Sequence, residues 1–79
     1  MIRDRLIEVF SGVLGVESER LNDDSSPGNT PAWDSVSNIM LITEIEAIFG
    51  VQLSTSDIES MGSIGRARDV LRRLGVSEL

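Results

Sequence analysis

The sequence predicts an all-α fold: a small four-helix bundle of three longer helices and one short one, with a long loop between helices 1 and 2. Three observations support this. Apolar residues recur at three- and four-residue intervals in three separate stretches, glycine or cap-forming residues bound each stretch, and no two segments read as a strand pair. The 79 residues leave room for one domain, taken as 1–79.

Helix 1 is expected over 2–14, where Ile2, Leu6, Val9, Phe10, Val13 and Leu14 form one stripe and Arg3, Asp4, Arg5 and Glu8 take the remaining surface. Gly15 stops it, and Gly12 is a weaker interruption in the last turn. Residues 16–34 read as loop, because Asn22 to Pro31 are almost all turn formers. A connection this long is functional or disordered; Val16, Leu21 and Trp33 favour a loop pinned to the helices. One metal reading of it fails. Numbered as a calcium-binding loop from Asp23, it places Gly28 correctly but Pro27 at a ligand position and Asp34 where a bidentate Glu is required.

The next helix begins after Asp34 and runs to Phe49, with Ile39, Met40, Leu41, Ile42, Ile45, Ile48 and Phe49 at helical spacing and Gly50 as its stop. A short extended run to Leu53 leads to Ser54, Thr55 and Ser56, candidate caps for a brief helix around 57–61 that Gly62 ends. Ser63 caps the last helix, whose Ile64, Ala67, Val70, Leu71 and Leu74 form a stripe ending before Gly75. Arg66, Arg68, Arg72 and Arg73 are read as a solvated basic face of that helix.

Composition narrows the chemistry. A net charge of −6 opposes nucleic-acid binding, which needs a basic face, and suits a partner with a basic docking surface. With no Cys and no His, the chain has no thiol, none of the common zinc sites and no serine–histidine triad. Any thiol chemistry must be imported. No apolar run approaches the ~20 residues of a membrane span and the start lacks the pattern of a signal peptide, so a cytoplasmic protein is expected.

The site candidate is Ser35. Asp34 is a good N-cap, which makes Ser35 the first helical residue, with its Oγ beside amides that favour an anion. A cap alone would also explain the pair structurally; the surrounding residues weigh against that.

Trp33, Asp34, Ser35 and Val36 resemble the Asp-Ser-Leu signature of acyl carrier proteins. The resemblance extends through the loop Asp23, Asp24, Ser25, Ser26, Pro27, the helix end Phe49, Gly50, Val51, and the segment Met61, Gly62, Ser63, Ile64, Gly65. It implies a stand-alone, monomeric, non-enzymatic carrier. A separate magnesium-dependent phosphopantetheinyl transferase would attach 4'-phosphopantetheine from coenzyme A to Ser35, with Asp34 helping to present it. Loading ligases and acyl-transfer or synthase enzymes would then place and use an acyl or aminoacyl group on the thiol. Carried over by position, Val36, Ile39 and Met40 would be exposed partner contacts, Glu44 and Glu46 acidic docking residues, and Leu41, Ile45 and Phe49 core residues. Ser37 and Met40 stand where housekeeping fatty-acid carriers generally have acidic residues, and Val36 replaces Leu, which implies a specialised lipid, polyketide or related pathway. The alternative is an unmodified helical interaction domain that uses the same apolar helix to bind a partner.

Overall fold

Helix α1, Arg5–Leu14, begins at Asp4, whose extended backbone and side-chain Oδ1 cap the Ile7 amide at 3.1 Å. The computed structural model describes residues 4–77 and 79, so the expected contribution of Ile2 lies outside the described residues. Asp4, expected on the helical surface, is instead the cap. α1 continues through Gly12 without a break and ends at Gly15, which adopts the left-handed conformation (φ 67°) that glycine tolerates without steric cost.

A single 3₁₀ turn, Ser18–Arg20, opens the long connection to α2, Ser35–Phe49. Gly50 closes α2 with φ 65°. A reciprocal cap between Ser54 and Asp57 starts α3, Thr55–Glu59, two residues earlier than expected. α4, Ile64–Arg73, is capped by Ser63, whose Oγ accepts from the Arg66 amide at 3.1 Å. The described residues thus form four helices and no strand.

One apolar cluster joins these elements, built from Leu6, Phe10 and Leu14 of α1, Leu41 and Ile45 of α2, and Ile64, Ala67, Val70 and Leu71 of α4. Leu21, Trp33 and Leu53 enter it from the connections. Burying each Val, Leu, Ile or Phe side chain of this cluster contributes about 1.5–3 kcal/mol. The connection is therefore pinned to the core. Phe49, expected inside, is only half-buried, and the Arg5 guanidinium sits 5.0 Å over its ring.

The loop is also fastened to α4. The first two amides of that helix, on Ile64 and Gly65, donate to the carbonyls of Ser25 (3.0 Å) and Asp23 (2.9 Å), so the loop backbone satisfies donors that a helix start leaves open. Gly65 permits the approach: a Cβ there would lie 3.0 Å from the Asp23 carbonyl oxygen and 3.1 Å from its Cβ.

Arg68 departs from the solvated face expected for the last helix. It is only 7% exposed, and its guanidinium forks to Asp4 (2.8 and 3.2 Å) and to Asp23 (2.9 and 3.3 Å). Arg66, Arg72 and Arg73 remain exposed. Arg68 thereby joins the cap of α1, the loop and α4. Burial works against ionised Asp4, but hydrogen bonds from Arg68 and the Ile7 amide, with the Arg68 charge, outweigh it and hold the carboxyl below its ordinary value of 3.8.

Two variants test this fastening. Arg68→Ala should lower stability by about 2 kcal/mol, the worth of hydrogen bonds to charged groups, and lower Tm on the order of 10 °C in a thermal melt. Because the folded Asp4 pKa is depressed, its contribution is complete above pH 3.8 and is lost as pH falls through the lowered value; Arg68→Ala should therefore lose less stability than wild type over that interval. Gly65→Ala, whose added methyl meets backbone that the Ile64 and Gly65 bonds hold in place, should cost about 1–3 kcal/mol in urea denaturation.

Candidate functional site at the start of the second helix

The chain passes from core to solvent within two residues at the start of α2. Trp33 is 3% exposed, with its ring edge-to-face on Phe10 at 4.9 Å and its Nε1–H donating to Asn38 Oδ1 at 3.0 Å. Asp34 and Ser35 follow it into solvent. Trp33 therefore fixes where the exposed serine stands, through apolar packing on one side and a hydrogen bond to the first turn of α2 on the other.

Asp34 is the N-cap, with an extended backbone. Its Oδ1 accepts from the amides of Val36 (3.1 Å) and Ser37 (2.9 Å). In return Ser37 Oγ accepts from the Asp34 amide at 2.9 Å, and it donates to the Ala32 carbonyl at 2.8 Å. This is a capping box with serine in the place usually held by Glu or Gln. The Ser37 amide, the Ser37 hydroxyl and the Val36 amide all favour the ionised form, so Asp34 stays below its ordinary 3.8 despite a small opposing desolvation.

This cap changes the electrostatics expected beside Ser35. Two of the free amides that would attract an anion already serve the Asp34 carboxylate. Ser35 remains the first residue of α2, exposed at the mouth of the helix. Beside it a shallow pocket of about 280 Å³ lies between the start of α2 and α3, with Trp33, Asn38, Ile58 and Met61 among its walls.

The other residues singled out from the sequence divide into two groups. Val36, Ile39 and Met40 are 67, 66 and 52% exposed, an outward apolar face on the helix that begins with Ser35, and Glu44 is exposed beside them. Glu46 is half-buried, and its Oε2 accepts from the Leu53 amide at 2.8 Å. That carboxylate holds the turn after α2. Ser37 and Asn38 were not identified as site residues from sequence. The Asp34-x-x-Ser37 spacing is the signal for the first, and no local signal marks the second.

No helix of the described residues is long and apolar enough to cross a membrane, and those residues contain no group of three or more carboxylates placed to hold a metal ion.

No family model matches the chain. It is 29% identical over 70 residues to an acyl carrier protein of Chlorobium luteolum, covering 89% of this chain and 90% of that protein. An acyl carrier protein of Chlorobium phaeovibrioides is 27% identical over the same shares of both chains. One from Chloroherpeton thalassium is 27% identical over 63 residues, 80% of this chain and 79% of the relative. The relatives bear the name of a carrier and not of an enzyme. The chain is thus similar to acyl carrier proteins over most of its own length and of theirs.

Proposed function

We propose that Ser35 is the attachment point for 4'-phosphopantetheine, and that the protein is a cytoplasmic single-domain carrier of acyl or aminoacyl groups. The observation that carries this reading is the placement of Ser35: an exposed hydroxyl at the first position of α2, held in place by a buried Trp33 and by Asp34, which caps the helix. A separate phosphopantetheinyl transferase, with coenzyme A as donor, would reach that oxygen without unfolding anything. When bound, the group supplies the thiol that the chain, with no Cys, lacks.

The residues present fit such a group. The dipole of α2 favours a phosphodiester at Ser35, although the Asp34 carboxylate shares the same amides and so places a second negative charge nearby. The adjacent pocket is about 280 Å³, just under the ~300 Å³ at the lower end of ligand sites. It accommodates a short part of an arm and leaves the remainder accessible to loading ligases and to acyl-transfer and synthase enzymes. Val36, Ile39 and Met40, with Glu44, form the face these enzymes would meet. The preponderance of apolar over acidic side chains on that face supports a specialised lipid, polyketide or related pathway. The same face would also serve an unmodified interaction domain, and modification separates the two readings.

Incubation with coenzyme A, magnesium and a broad-specificity phosphopantetheinyl transferase should add the mass of one phosphopantetheine to the intact protein, and Ser35→Ala should abolish the gain. No gain, or a gain that persists in Ser35→Ala, would overturn the assignment. The modified form provides a second measurement. Asp34 should titrate below 3.8 in the unmodified protein, and a neighbouring phosphodiester should raise that midpoint, because like charge disfavours ionisation; carboxyl carbon shifts followed by NMR against pH report both.

A further inference from the structure

The hydrogen-bond donors around Ser35 can be counted one by one. At the start of α2 the Asp34 amide donates to Ser37 Oγ, the Val36 and Ser37 amides donate to Asp34 Oδ1, and the Asn38 amide donates to the Asp34 carbonyl. The Ser37 hydroxyl is engaged by the Ala32 carbonyl. Of the backbone donors in that turn, the Ser35 amide alone has no partner among the described residues. Side chains around the adjacent pocket add few more. Asp34 and Glu59 present carboxylates there, and the side-chain donors belong to Trp33, Ser35 and Asn38. The Trp33 indole N–H is already given to Asn38, and esterification removes the Ser35 hydroxyl proton. Asn38 is what remains.

The bond from Trp33 settles how the Asn38 amide stands. An indole N–H can only donate, so it must face the oxygen of that amide and not the nitrogen. Nδ2 therefore points the other way with two N–H donors, and nothing among the described residues accepts from them. Asn38 is half-buried, yet no buried side-chain nitrogen or oxygen of the described residues lacks a partner. The unpaired Nδ2 is accordingly open to solvent. Asn38 stands three positions after Ser35, which places the two Cβ atoms about 5–6 Å apart on neighbouring parts of the helix surface. Side chains on a helix also lean back over the preceding turn. Because a buried ring already holds one end of this amide, little further freedom is lost when the other end binds.

We infer that Asn38 is a binding residue for the group on Ser35: its Nδ2 donates to a non-bridging oxygen of the phosphodiester, in place of the backbone amides that Asp34 has taken. The inference rests on the carrier reading above. It also gives the arm a direction. Around α2, Asn38 lies about 60° to one side of Ser35, whereas Val36 and Met40 lie about 100–140° to the other. A phosphodiester held by Asn38 starts the arm toward the wall of the pocket formed by Ile58 and Met61, and away from Val36 and Met40.

The test uses the full chain labelled with nitrogen-15, compared by NMR before and after enzymatic loading from coenzyme A. Loading should move one Nδ2 proton of Asn38 downfield and produce a through-bond correlation between Nδ2 and the phosphorus, while cross-relaxation should place the arm near Ile58 and Met61. A purely structural Asn38, needed only by Trp33, would show neither change in its amide. Asn38→Asp supplies the second measurement. It keeps an oxygen for the indole, so the Trp33 Nε1–H should exchange with solvent as slowly as in the parent, but it replaces the donor with a carboxylate, and the arm's contacts with Ile58 and Met61 should be lost. A loaded protein whose Asn38 amide is unmoved, an arm that contacts Val36 and Met40 instead, or arm contacts that survive Asn38→Asp would each overturn this inference and leave the carrier reading intact. No added mass on loading would overturn both. The parent spectra decide the matter even where the variant fails to fold.

Discussion

The position of Ser35 depends on the burial of Trp33. An indole placed against Phe10 draws the end of the long connection into the core, and its N–H must then find a partner, which Asn38 supplies. Those two contacts fix the start of α2 in space and direction. Once Trp33 is fixed, Asp34 and Ser35 have nowhere to go but outward, and the mutual cap between Asp34 and Ser37 sets the first turn. The exposed hydroxyl follows from an apolar constraint two residues before it.

The same economy appears at the other end of the loop. Arg68 gathers Asp4 and Asp23, while the amides that open α4 take up the loop carbonyls of Asp23 and Ser25. A connection rich in turn formers has little apolar surface with which to anchor itself. Here backbone hydrogen bonds and one forked guanidinium supplement the side chains of Leu21 and Trp33. A guanidinium suits this role because its planar donors can serve two carboxylates at once. The two carboxylates stay partly hydrated, which limits the cost of placing the cation between them.

Much of this was legible in the sequence. The stops at Gly15 and Gly50, the caps at Asp34 and Ser63, and the exposed Ser35 all follow from local rules, and the structure has each of them. What local rules could not reach was the pairing of distant residues. Arg68 looked like one more member of a basic helix face, because nothing within a few residues of it announces Asp4 or Asp23. Glu46 looked like a docking residue, because its bond to Leu53 depends on the path of the turn after Gly50. Two amides beside Ser35 proved to be engaged because a good cap uses the same donors that would attract an anion.

The hydrogen bonds that join the loop to α4 have a kinetic implication. They link positions some forty residues apart, so they form only after a long segment of chain has closed on itself, and closure of that kind is entropically slow to reward. In the native state the dependence runs in reverse: any fluctuation that lifts the last helix from the core also releases the loop and frees the backbone that leads to Trp33. Amide exchange at Ile64 and Gly65 would then report a cooperative opening unit that spans most of the chain, and not the fraying of one helix end.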